Sequence, residues 1–182
     1  VGEAACDRGD PAAVDPPGLH VLAVLLRRRR DVVLEGIPRE RDACAQVMGA
    51  FFAAGGRMID SSPMYGSSQS VIGYGLARLG RPAGLFAADK VWISSASRGP
   101  AQIEASRQAW GVPRFDLLQV HNLLSWGAHL RTLLAMKAEG QLRYVGITTS
   151  EGRRHGEFEQ IMRAQPLDFV QVTYNILDRE AE

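Results

Sequence analysis

Cysteine is nearly missing from this sequence. Cys6 and Cys44 are the only two among 182 residues, too few and too far apart for a disulfide framework or a cysteine-rich metal knot. They are in keeping with a reducing cytoplasm. A charge excess is missing too: 21 Lys and Arg stand against 20 Asp and Glu, a formal net charge of +1. That balance gives no reason to expect nucleic acid or an anionic membrane as a partner. The run Arg27 to Arg30 is a local exception, read as a solvated cluster because no second basic stretch or interleaved aromatics support it. No long hydrophobic run occurs. Leu19 to Leu26 falls far short of the ~20 residues that span a bilayer, and it precedes the basic run, the wrong order for a secretory signal. A cytoplasmic protein without a metal site is expected.

Residues 1 to 40 hold four of the nine prolines and two short apolar runs, Leu19 to Leu26 and Val32 to Leu34, with no sustained period. They read as an atypical N-terminal segment. From Arg41 onward the pattern is regular. A helix is predicted over Ala43 to Ala54, with Val47, Phe51 and Ala54 on one face and Gly55 and Gly56 as its stop. Strands are predicted over 57–60, 84–91, 115–120, 144–148 and 169–173. Helices fall between them over 70–79, 101–110, 128–138 and 157–164, and a further one is expected to begin near Asp178. Gly80, Gly111 and Gly140 stand behind three of these helices, and Pro100 opens one.

The strand ends lie near Asp60, Lys90, His121, Thr148 and Thr173, spaced by 30, 31, 27 and 25 residues. Such alternation predicts βαβ units and a parallel sheet. No G-x-G-x-x-G follows the first strand, which argues against a doubly wound dinucleotide-binding sheet. An α/β fold of the (β/α)8 TIM-barrel type is favoured, incomplete, with about five to six βα units.

Barrel catalysis is built at the C-terminal strand ends, so the polar residues there are the candidates. Asp60, Tyr65 in the following loop, Lys90 and His121 arrive on three successive strand ends. Singly, each has a plain reading as a turn residue, a loop aromatic, a solvated charge or a satisfied imidazole; jointly they form a specific set. Carbonyl reduction needs a proton donor for the developing alkoxide. A phenol with an ordinary pKa of about 10 is a poor one at neutral pH unless an ammonium lies beside it and a carboxylate anchors that ammonium. Tyr65, Lys90 and Asp60 fill those roles in turn. His121 is placed to orient the carbonyl oxygen.

The segment Gly56 to Gly66 (GRMIDSSPMYG), with Lys90 in AADKVW and His121 in DLLQVHN, closely resembles the signatures of the aldo-keto reductases, in a bacterial branch. The resemblance runs from about Arg41 to Glu182. It implies NADPH- or NADH-dependent reduction of a small aldehyde or ketone, with Asp60, Tyr65, Lys90 and His121 as catalytic residues. It also implies cofactor positions: Gln171 in FVQVTYN for the nicotinamide carboxamide, and Thr148 and Thr149 where the family carries Ser and Asn. Departures accompany it. No counterpart of the family's first strand is found in residues 1 to 40. Gln69 stands at a position usually held by Glu, and Asp89 at one where Thr is common. The chain is expected to stop after the sixth barrel strand, leaving the phosphate-binding units of strands 7 and 8 unmatched and an open sheet edge as a route to self-association. Two functions stay open: a carbonyl reductase, and an inactive relative serving as a binding or regulatory module.

Overall fold

The computed structural model describes residues 38–150 and 153–182. The expectations for Cys6, the two early apolar runs and Arg27 to Arg30 lie outside the described residues. Within them, helix α1 (Pro38–Ala53) leads into β1 (Met58–Asp60), α2 (Ser68–Arg78), β2 (Phe86–Val91), α3 (Gly99–Trp110), β3 (Leu117–Val120), α4 (Trp126–Ala138), β4 (Tyr144–Thr148), α5 (His155–Ala164) and β5 (Phe169–Gln171). The strands lie in chain order, β1-β2-β3-β4-β5, and every neighbouring pair is parallel. This is an incomplete (β/α)8 barrel, as the sequence predicts.

The helices start earlier than the apolar period shows; the first turns of α2, α3 and α5 are polar or small, and α4 opens on Trp126. Pro38 suits the first position of α1, where no amide donor is needed, and the other four helices open two residues before the starts expected at 70, 101, 128 and 157. Gly111 ends α3 in the left-handed conformation, φ 65°, that any side chain would strain. Gly84 has φ 81°, which is why β2 begins at Phe86 and not two residues earlier. Two expectations are corrected. The buried face of α1 is Ala45, Met48 and Phe51, whereas Val47 is 55% exposed. No helix forms near Asp178: the Asn175 carboxamide oxygen accepts from the amides of Leu177 (2.8 Å) and Asp178 (3.0 Å), closing a turn.

Strand alternation divides the side chains between two surfaces. One set, including Ile59, Ala87, Val91, Leu118, Val120, Val145 and Ile147, packs in the main core with residues of all five helices. The other lines the concave face. Its floor is apolar: Met58, Phe86, Ala88 and Leu117 form a second cluster, packed by Tyr144 and Phe169. Phe86 stacks on Tyr144 at 5.8 Å and meets Phe169 at 6.1 Å, so the curl brings the second and fifth strands' side chains together. The residues above this floor on the same face are polar. Among the described residues, no helix is long and apolar enough to cross a membrane, and no group of three or more His, Cys, Asp or Glu is placed to hold a metal ion.

Candidate active site

Asp60 is the last residue of β1 and pairs in register with Ala88 on β2. Two residues on, Lys90 faces the same side and pairs with Gln119 on β3. The Lys90 ammonium donates to Asp60 Oδ2 in an ion pair whose side chains are 1% and 7% exposed. It also donates to the Ser61 carbonyl at 3.0 Å. A lysine this deep requires such partners, since an unpaired buried charge is costly. Asp60 Oδ1 is buried without a hydrogen-bond partner. Across the mouth, Gln171 on β5 brings Nε2 to 3.5 Å from Asp60 Oδ2, a long contact.

The β1–α2 loop carries Tyr65 over this pair. Lys90 Nζ lies 5.7 Å from the centroid of the Tyr65 ring, and the ring stands edge-on to His121, centroids 5.7 Å apart at 84°. His121 follows β3 directly and is buried. Burial first, and the Lys90 charge second, hold its imidazole down to about 4, so it is neutral at pH 7. Its Nδ1 is 2.8 Å from Ser62 Oγ. When the serine hydroxyl donates there, the ring proton resides on Nε2.

Thr148 closes β4 and lies in register with Gln171 on β5. Its hydroxyl oxygen accepts from the Asn122 amide at 3.0 Å, tying the turn after His121 to the end of β4. Ser150 Oγ adds a bond to Asn122 Oδ1 at 3.1 Å. The Thr149 hydroxyl donates to the Arg153 carbonyl at 2.6 Å, and its amide donates to the Gln171 carbonyl at 2.9 Å. Thr149 therefore shapes the loop and holds the backbone of Gln171, and its hydroxyl oxygen keeps only acceptor capacity.

Asp60, Tyr65, Lys90 and His121 come together at one end of the sheet. Gln171 reaches them through Asp60, and Thr148 through the Asn122 turn. Sequence reasoning misses Ser62, although its neighbours Asp60 and Tyr65 are both candidates. It also misses Asn122 and Ser150, which carry no spacing signal.

Comparisons with known proteins bear on the family and the fold. A family model described as the aldo/keto reductase family matches residues 36–182. No curated protein matches. Among solved structures, an aldo-keto reductase candidate from Pseudomonas aeruginosa has a TM-score of 0.65 at 23% identity, covering 78% of this chain and 59% of its own. An aldo/keto reductase from Brucella melitensis has 0.65 at 20%, covering 78% and 57%. The glycerol dehydrogenase of Gluconobacter oxydans has 0.62 at 22%, covering 79% and 48%. These likenesses concern the fold, and the chain spans about half to three-fifths of the length of these structures.

Proposed function

Since the chain belongs to the aldo/keto reductase family, we propose that it carries the catalytic half of an oxidoreductase that reduces an aldehyde or ketone to an alcohol with NADPH or NADH. The observation that carries this reading is the convergence of Tyr65, the Lys90–Asp60 pair and neutral His121 above one apolar floor.

The residues at the mouth fit a nicotinamide carboxamide. A neutral amide needs neutral donors and acceptors, which Gln171 and Thr148 supply side by side in register. The 3.5 Å contact from Gln171 to Asp60 is weak enough to exchange for a better partner. Thr149 Oγ1, its proton committed to Arg153, is left to accept. When bound, the cofactor supplies the hydride.

The chain's own residues supply the proton and hold the carbonyl. Tyr65 donates its phenolic proton to the oxygen as negative charge develops there. Lys90 favours the phenolate left behind, and Asp60 keeps the ammonium charged and in place. His121, neutral and with Nδ1 occupied by Ser62, offers Nε2–H to the same oxygen, which orients the substrate without adding charge. An apolar floor beneath excludes water from these bonds and strengthens them.

The test is to follow loss of reduced-nicotinamide absorbance by the purified protein with a panel of aldehydes and ketones, identifying the alcohol product. Turnover is expected with at least one carbonyl class. Nicotinamide binding without turnover on any of them would favour a binding module instead.

A further inference from the structure

Asp89 neighbours Lys90 on β2, but alternation turns it to the other surface, into the layer between sheet and helices. It is fully buried, 0% exposed. Gln69, in the first turn of α2, donates Nε2 to Asp89 Oδ2 at 2.5 Å and to Ser106 Oγ on α3 at 2.8 Å. Asp89 Oδ1 is buried without a partner. These polar groups sit in a layer otherwise filled by Ile72, Leu76, Val91 and Ile103, where a leucine would avoid their desolvation cost. Neither Gln69 nor Asp89 has a part in the chemistry above.

Their place in the fold gives them one. Gln69 follows Tyr65 by four residues, and its neighbour Ser68 is bonded through Oγ to Ser61 Oγ at 2.8 Å. Whatever fixes the first turn of α2 therefore fixes both ends of the loop that carries Ser62 and Tyr65. The strand residue that Gln69 grips is adjacent to the lysine over which Tyr65 sits. We propose that Asp89 and Gln69 are a positioning pair, a carboxylate peg on β2 and an amide hook on α2, that sets the Tyr65 loop against Lys90. The inference rests on the reading that Tyr65 and Lys90 act together. Burial raises the Asp89 carboxyl to about 7, against the lowering effects of its bonds and of Lys90, with Asp60 adding to the rise. The contact survives either protonation state, because the amide can present its oxygen to a protonated acid or its NH2 to a carboxylate.

The test exchanges the two groups across the contact. Gln69→Ala removes the hook, Gln69→Glu sets two acids against each other, and Gln69→Glu with Asp89→Asn restores an acid–amide pair in reverse. Each is made in the whole protein at pH 8 and read by thermal unfolding. The ring signals of Tyr65 are followed in 13C-tyrosine-labelled protein, assigned with Tyr65→Phe. Both single changes are expected to lower Tm by roughly 2–8 °C and to shift the Tyr65 signal. The exchanged pair is expected to return that signal to its parent position. If Gln69→Glu fails to fold, the exchanged pair and Gln69→Ala decide. A Tyr65 signal unmoved by Gln69→Ala, or one that the exchanged pair leaves displaced, would overturn the proposal. None of these readings needs turnover, so an inactive parent would count against the proposed reaction and leave the positioning result standing.

Discussion

Lys90 and Asp60 meet across the first two strands as an ion pair almost without solvent, and Asp60 Oδ2 is also the atom that Gln171 approaches from the fifth. The pair thus joins the side of the site proposed to donate the proton to the side proposed to hold the nicotinamide. Breaking a buried pair by removing one partner leaves an uncompensated charge and costs about 3–5 kcal/mol. Lys90→Met should therefore lower unfolding free energy by that order in denaturant titration and remove carbonyl reduction. Adding Asp60→Leu should recover much of the stability and none of the activity. Recovery of both would show the pair to be purely structural.

The imidazole of His121 gives a pH prediction. Its folded-state pKa is lowered to about 4, from an unfolded value of about 6.5. Between those values the unfolded chain binds more protons, so this group's contribution to stability is full above pH 6.5 and is lost as pH falls toward 4. A histidine NMR titration should find one ring still neutral at pH 5. His121→Gln should flatten the part of the acid limb of stability that this residue supplies.

Asp89 works in the opposite sense. Its folded-state pKa, raised to about 7 from 3.8, means that the folded chain holds the proton more tightly. Stability therefore declines as pH rises from about 4 to about 7 and stays lower above that. Asp89→Asn, which keeps the Gln69 contact without the charge, should match the parent near pH 4 and exceed it at pH 8. Thermal unfolding at the two pH values checks this, and a parallel offset at both would contradict the assignment.

Much of the fold is legible in the sequence. The placement of Asp60, Lys90, His121 and Thr148 at or beside strand ends is legible because a regular period fixes where strands end, and a barrel brings those ends together. Gly111 and Pro100 marked the ends of α3 through backbone chemistry that acts within a single turn. Pairings such as Ser62 with His121, or Gln69 with Asp89, join residues 59 and 20 apart through side chains alone. No period records them. Val47 misleads because the face expected for α1, through Val47, Phe51 and Ala54, shares only Phe51 with the buried face of Ala45, Met48 and Phe51. The turn at Asn175 shows a local side-chain acceptor competing with a helix that residues 178–182 suggested.

Gly73 illustrates a constraint that the sequence does not announce. A methyl group there would run into the Ala109 carbonyl, because α2 and α3 approach backbone to backbone at that point. Gly73→Ala should force the helices apart at a cost of roughly 1–3 kcal/mol, although alanine is the better helix former in isolation. Chemical denaturation should show the loss, and unchanged or higher stability would mean that the two helices have more freedom than their packing shows.

Delivery of the proton by Tyr65 is the step on which the proposed reaction rests. It is tested most directly by comparing Tyr65→Phe with the parent in two measurements on the same preparation: reduced-nicotinamide binding by fluorescence titration, and single-turnover carbonyl reduction. The substitution removes one hydroxyl and keeps the ring against Lys90 and His121. Binding should stay within about threefold of the parent, while the reduction rate should fall by roughly 10²–10⁴, the range a positioned general acid contributes. A Tyr65→Phe protein that reduces the carbonyl at the parent rate would contradict the assignment outright.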